Sequence, residues 1–216
     1  MQIKVDLHVH TIYSDSVITL KDLLFYAKKR GLNAVAITDH NCVEGAAKFQ
    51  KETDFLIIPG IEVSSMHGHI VGLNVDKVIP RGLTADETVD RIHQAGGIAI
   101  ACHPYARFKN SLGNHVNSRF DAIEVINACA TPFKKCIIEA QKTADLLKLP
   151  RVAGTDAHFG PQIGHAYTVI DAQPNVQSII DAIKTGRCQP FGEPVPFLMK
   201  LKKQYYYYKR KIQRPT

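Results

Sequence analysis

The chain has 216 residues, 45% of them hydrophobic, enough to bury a sizeable core in one domain. No apolar run approaches the ~20 residues of a membrane-spanning helix, and no basic, apolar leader precedes the first strand pattern, so the expectation is a cytoplasmic protein. Five cysteines without a C-x-x-C pair argue against a disulfide framework or a thiolate zinc site, and the formal charge of +7 resides wholly in a basic C-terminal segment.

Along the chain, short apolar runs alternate with helix-period stretches. The run I-K-V-D-L-H-V-H-T predicts a strand over 3–9 that ends in His8 and His10. Positions i and i+2 of a strand share a face, so both rings can reach one ion; two hydrogen-bonded histidines on a buried face would read the same in isolation. Asp15 follows across a short polar turn. Thr19 is placed to cap a helix over 20–30, stopped by Gly31. A strand over 34–38 leads into T-D-H-N, with Asp39 and His40, and a strand over 55–59 into P-G-I-E-V, with Glu62. The segment H-G-H-I-V-G brings His67 and His69 to a strand over 69–75, and spacing alone does not choose between them. Thr84 and Glu87 form a capping box for a helix over 85–94, ended by Gly96 and Gly97. A strand over 98–102 ends in A-C-H-P, with His103. A strand over 122–126 contains Glu124, a helix covers 133–147, and a strand over 151–154 ends in G-T-D-A-H, with Asp156 and His158. A helix over 176–184 completes the body.

This alternation implies parallel strands joined by crossover helices, and seven strands favour a closed or nearly closed barrel. In such a barrel the strand ends meet on one rim, where residues distant in sequence become neighbours. Imidazoles and carboxylates at one strand end after another are ligands for Zn²⁺, Mn²⁺ or Fe²⁺ without any thiolate. A bridging carboxylate such as Glu62 suits a pair of close cations, because its two oxygens can serve both.

The segments D-L-H-V-H-T, A-I-T-D-H-N, P-G-I-E-V, G-H-I-V-G-L, C-H-P and G-T-D-A-H resemble, in order, those of the polymerase-and-histidinol-phosphatase (PHP) family of metal-dependent phosphoesterases. The resemblance runs over about residues 1–190 and implies an α/β fold, a distorted (β/α)7 barrel with two or three divalent ions at the C-terminal rim of the strands. It implies a first ion on His8, His10, Glu62 and Asp156. A second shares Glu62 and adds His69, preferred to His67 because it matches the family's H-I-V-G position, and His103. A third uses Asp15, His40 and His158.

Two adjacent cations would make hydroxide available near neutral pH for attack on phosphorus, so hydrolysis of a phosphate monoester or diester is the leading reaction, with Glu62, His103 and Asp156 as its catalytic residues. Arg107 and Lys109, in H-P-Y-A-R-F-K after His103, are candidate substrate contacts; a guanidinium matches phosphate oxygens, although a solvated surface arginine is the competing reading. Asp39 is expected to orient a ligand histidine and Glu124 to support the ligands from behind. His115 could meet substrate, with an exposed loop histidine as the competing reading, while His93 and His165 read as bystanders and Cys42 and Cys102 as packing residues. Short connections after the third and fifth strands predict an open site.

Residues 1–198 form the expected phosphoesterase domain and 199–216 a basic, tyrosine-rich tail. That tail holds Lys200, Lys202, Lys203, Lys209, Arg210, Lys211 and Arg214, four consecutive tyrosines (Tyr205–Tyr208) and no acidic residue, which leaves the body with twenty basic and twenty acidic residues. Such a segment could bind nucleic acid or an anionic membrane surface; the favoured reading is a helix whose tyrosines pack on the barrel or on a subunit partner. Three functions compete. One is a phosphatase for a small phosphorylated substrate. Another is a nuclease or nucleotide-trimming phosphoesterase that uses the tail. The last is a non-catalytic subunit, against which the full set of ligand positions weighs.

Overall fold

The computed structural model describes residues 1–213, with the side chains of residues 1–209; the tail charges Arg210, Lys211 and Arg214 lie outside the described side chains. Nine strands and six helices follow one another as β1 (Gln2–Val9), α1 (Leu20–Lys29), β2 (Ala34–Ile37), α2 (Glu44–Glu52), β3 (Leu56–Ser65), β4 (Gly68–Leu73), α3 (Ala85–Gln94), β5 (Ile98–Ala101), β6 (Ala122–Asn127), α4 (Phe133–Leu147), β7 (Arg151–Gly154), β8 (Ala166–Asp171), α5 (Val176–Lys184), β9 (Cys188–Gly192) and α6 (Phe197–Gln213). They form one sheet in the order β7-β6-β5-β4-β3-β2-β1-β8-β9. Thr19 caps α1 as predicted, in a capping box with Asp22, and the capping box predicted at Thr84 is present.

The sheet curls into a nearly closed barrel. The segment after β7 returns to β1: Asp156 N–H donates to His8 O (2.7 Å), His10 N–H donates to Ala157 O (3.0 Å), and Val9 bridges to Ala157. Buried Asp6 reinforces that seam by accepting from Thr155 N–H (2.9 Å) and Gly164 N–H (2.9 Å). Inside, Val5 and Leu7 of β1 cluster with Ile58, Val71, Ile100 and Val152 and with Ile179, Ile180 and Ile183 of α5. Full burial of such side chains contributes about 1.5–3 kcal/mol each. Outside, α1 and α2 cover β1 and β2 through Leu23, Ala27 and Phe49, and α3 and α4 cover the other half through Val89, Ile92, Ala140 and Ala144.

The expectation of parallel strands joined by crossover helices holds for only part of this barrel. The pairs β1–β2, β2–β3, β5–β6 and β6–β7 are parallel, but β4 runs antiparallel to both neighbours, and β8 and β9 add an antiparallel extension beyond β1. Strands β3 and β4 form a hairpin with no helix between them. Pro59-Gly60 reads as a strand end in sequence, yet β3 continues through it and changes partners there, pairing with β2 up to Pro59 and with β4 from Gly60. Glycine is required at the handover, since a Cβ would lie 2.8 Å from the Gly72 carbonyl oxygen. Glu62 therefore sits inside a strand rather than after one. The reversal of β4 also explains why a histidine at a strand start reaches the rim: His69 pairs with Ser64, two residues past Glu62. No helix among the described residues is long and apolar enough to cross a membrane.

Candidate metal centre

Glu62 is the hub of the rim. Its Oε2 lies 3.3 Å from His8 Nε2, 3.0 Å from His10 Nε2 and 3.2 Å from His40 Nδ1, while its Oε1 lies 2.9 Å from both His69 Nδ1 and His103 Nε2. The carboxylate is buried, and none of the three imidazoles near Oε2 meets it in hydrogen-bond geometry. Burying an unpaired carboxylate oxygen is costly. Nitrogens and oxygens that converge on a point, rather than on one another, fit a cation between them.

Four overlapping groups bring their donor atoms within 4.8 Å: His10, Asp15, His40 and His158; His8, His10 and Asp156; His8, Glu62 and His103; and His40, Glu62 and His69. All nine ligand positions expected from sequence thus meet on one rim. The donors are neutral imidazole and carboxylate with no thiolate, the chemistry of Zn²⁺, Mn²⁺ and Fe²⁺.

Each donor is held by its own element. The strand period puts His8 and His10 on one face of β1, with their Nε2 atoms 3.2 Å apart. Behind His8, Glu124 Oε1 accepts from Nδ1 (3.0 Å), and Glu124 Oε2 accepts from the His103 backbone N–H (2.7 Å) and from Asn127 Nδ2 (2.9 Å). Glu124 thus holds His8 and the His103 backbone from behind, with His8 Nε2 toward the centre. Gly154 makes room for it: a Cβ there would lie 2.7 Å from Glu124 Oε1 and 2.5 Å from the His8 Cβ. His158 Nδ1 lies 3.0 Å from the Asp156 carbonyl oxygen, which turns its Nε2 toward Asp15 Oδ2 at 3.1 Å. His103 and Asp156 have φ of 32° and 59°, left-handed backbone that costs non-glycine residues of order 1–3 kcal/mol and gathers at functional sites.

Electrostatics follow from this crowding. Burial disfavours charge on His8 and His10, but Glu124, Asp156 and Glu62 hold His8 well above its ordinary value, and Asp156 and Glu62 hold His10 up at about 9. Burial likewise opposes ionisation of Glu62 and Asp156, yet the imidazoles around Glu62 and the Lys109 ammonium beside Asp156 keep both well below the usual carboxylate range. His40 drops to about 4 through burial, and burial also lowers His158. A cation bound among these groups would supply the positive charge that the carboxylates otherwise draw from the imidazoles.

Several sequence expectations change. Asp39 orients no histidine: it accepts from Thr11 N–H (2.7 Å), Thr11 Oγ1 (2.6 Å) and Ser14 Oγ (2.6 Å), organising the loop that carries Asp15. His67 stacks on His115 (3.9 Å between centroids) and accepts from Ala85 N–H, leaving His69 at Glu62. Arg107 is exposed and does not line the cleft, whereas Lys109 does and pairs with Asp156. The connection after β5 is long, not short as expected: the segment between β5 and β6 lines the cleft with Phe108, Lys109 and Asn110, and α6 brings Lys203 to it. His93 and His165 lie elsewhere, on Asp121 and Arg30.

Sequence reasoning missed Lys203, and it missed Asn110, whose Nδ2 sits 3.1 Å from His69 Nε2. It also assigned Cys102 to packing alone, although its thiol donates to Glu62 Oε1 (3.5 Å). No local pattern marks these three, since their roles arise from contacts about forty residues or more away.

Comparison with known proteins agrees with this geometry. The family model of the PHP domain matches residues 6–189. An uncharacterized protein of Methanocaldococcus jannaschii is 39% identical over 140 residues, 58% of this chain and 82% of that protein. The 5'-3' exoribonuclease Rnm of Salmonella typhimurium is 30% identical over 175 residues, 73% of this chain and 57% of the relative. Among solved structures, a two-domain protein from Bacteroides vulgatus containing a predicted PHP-like metal-dependent phosphoesterase superposes with a TM-score of 0.76 at 17% identity, over 89% of this chain and 65% of that one, a likeness of fold. With that family match spanning β1 to β9 and enclosing every residue that meets Glu62, the chain belongs to the PHP domain family.

Proposed function

We propose that this chain is a metal-dependent hydrolase of phosphoric esters, acting on a monoester or diester with two or three Zn²⁺, Mn²⁺ or Fe²⁺ ions. The observation that carries the reading is the division of Glu62, with one oxygen toward His8, His10 and His40 and the other toward His69 and His103. His8, His10, Glu62 and Asp156 would hold one ion, Glu62, His69 and His103 a second, and Asp15, His40 and His158 a third. Bound there, the ions supply a hydroxide near neutral pH and offset charge on the phosphoryl oxygens. Glu62, His103 and Asp156 form the catalytic core, since His103 Nε2 lies 2.9 Å from Glu62 and 4.0 Å from Asp156 at the lining of the cleft. In the reaction a water oxygen bonds to phosphorus, the ester P–O bond breaks, and the leaving alkoxide takes a proton.

The cleft of ≈ 260 Å³ suits a phosphate group with a small portion of its ester. Lys109 and Lys203 line it and bring positive charge to a substrate phosphate. Lys203 belongs to the basic helix, which favours as a second reading a nucleic-acid end as substrate, the activity named for the Salmonella relative. Metal analysis of the purified protein, coupled to phosphate release over a panel of phosphorylated metabolites and short oligonucleotides, tests the proposal. Two or more ions per chain with turnover support it; fewer than two, with no turnover on added Mn²⁺, Zn²⁺ or Fe²⁺, sinks it.

A further inference from the structure

Beside the metal-ligand cleft lies a second cavity of ≈ 550 Å³, within the roughly 300–1,000 Å³ typical of small-molecule sites. Tyr26, Phe159 and Tyr206 supply aromatic surface, and Thr19, Asp22 and Lys209 supply polar groups. Phe159 and Tyr206 stack with centroids 5.0 Å apart and planes 24° from parallel. Three separate segments each serve both spaces. The loop after β1 gives Asp15 to the cleft and Ile12 and Val17 to the cavity. The turn after β7 gives His158 to the cleft and Phe159 to the cavity. Helix α6 gives Lys203 to the cleft and, three and six residues on, Tyr206 and Lys209 to the cavity. Residues at such spacings lie on one side of a helix, so α6 borders both. It starts after the family match ends at residue 189.

We infer that the cavity receives the planar ring of a nucleotide whose phosphate occupies the cleft. Aromatic walls favour a flat π-surface over an aliphatic one, because a base stacks on tyrosine and phenylalanine whatever its identity. Thr19 and Asp22 pair with each other in the α1 capping box, which leaves the Lys209 ammonium to meet the acceptor edge that a nucleobase carries and a hydrocarbon ring lacks. The inference rests on the proposed phosphoesterase reading and narrows its substrate from phosphoric esters in general to nucleotides, free or at the end of a strand.

The test compares AMP with ribose 5-phosphate, which present the same ester with and without the base. On the full-length protein the inference predicts a higher kcat/KM for AMP. Tyr206→Ala should lower the ratio of the two kcat/KM values about tenfold, the loss of one stacking partner, and Tyr206→Phe should keep it. A wild-type protein that does not prefer AMP overturns the inference, as does a ratio that moves less than about twofold in Tyr206→Ala. Thermal melting establishes that each variant is folded. Calorimetric binding of the same two compounds separates this inference from the reading beneath it. If neither ester is turned over, the phosphoesterase reading is decided by the metal analysis and the wider panel, while AMP binding that exceeds ribose 5-phosphate binding and weakens in Tyr206→Ala still supports the ring site. Equal binding of both compounds overturns it.

Discussion

Glu124 Oε1 lies 3.0 Å from His8 Nδ1, while the other nitrogen of that ring lies 3.2 Å from His10 Nε2. The carboxylate thereby sets which nitrogen of His8 faces the centre. Support of this kind is worth about 10–100-fold in metal affinity. Glu124→Ala should weaken metal binding by that factor, read by competition with a chromogenic chelator. It should also cost about 1–3 kcal/mol of stability, because the His103 N–H and Asn127 Nδ2 lose their acceptor. Unchanged affinity would show that His8 is oriented by the barrel alone.

Glu62→Ala removes the group that both proposed neighbouring ions share. Metal content should fall by two ions per chain and phosphate release by more than about a thousandfold, since the charge stabilisation of several kcal/mol goes with them. His69→Ala should remove one ion only. Equal losses in the two variants would contradict a bridging role, and mass spectrometry under native conditions counts the ions directly.

Asp39→Ala separates the loop after β1 from the rest of the rim. Thr11 N–H, Thr11 Oγ1 and Ser14 Oγ would all lose their acceptor, at about 1–3 kcal/mol for the buried amide. The melting temperature should fall, and the ion assigned to Asp15, His40 and His158 should be lost while the pair on Glu62 stays. Loss of all the ions together would mean that Asp39 supports the whole rim.

His165 sets a pH dependence away from the metal centre. Burial, followed by the Arg30 guanidinium 2.6 Å from its Nε2, holds its pKa below the ordinary value. The unfolded chain therefore takes up a proton near pH ~6.5 that the folded chain resists, and stability falls as pH drops through that range. His165→Gln should flatten the acid limb of the stability curve between pH ~7 and ~5 relative to wild type. Urea midpoints across that range check it, and superimposable acid limbs would refute it.

The ligand pattern was legible because it depends on local rules. The strand period puts His8 and His10 on one face, the capping signals at Thr19 and Thr84 mark helix starts, and the strand-end histidines announce a rim. Local rules also misled. Pro59-Gly60 reads as a stop but is a change of strand partner, and Asp39, next to His40 in sequence, points its hydrogen bonds into another loop. Strand β8, with the alternating run of Tyr167, Val169 and Asp171 between buried neighbours, went unassigned beside the stronger signal of Asp156 and His158.

By itself the sequence determined the types of donor, imidazole and carboxylate without thiolate, their order along the chain and the strands and turns that carry them. The tertiary structure alone decided that β4 runs antiparallel and so selects His69 over His67, that Glu62 faces two sets of histidines with its two oxygens, and that α6 brings Lys203 to the lining of the cleft. The physical reason is range. Side-chain chemistry and backbone period are properties of a few neighbouring residues, whereas strand direction and the meeting of β1, β3 and the turn after β7 depend on pairings between residues far apart in the chain, whose stability comes from the whole packed sheet.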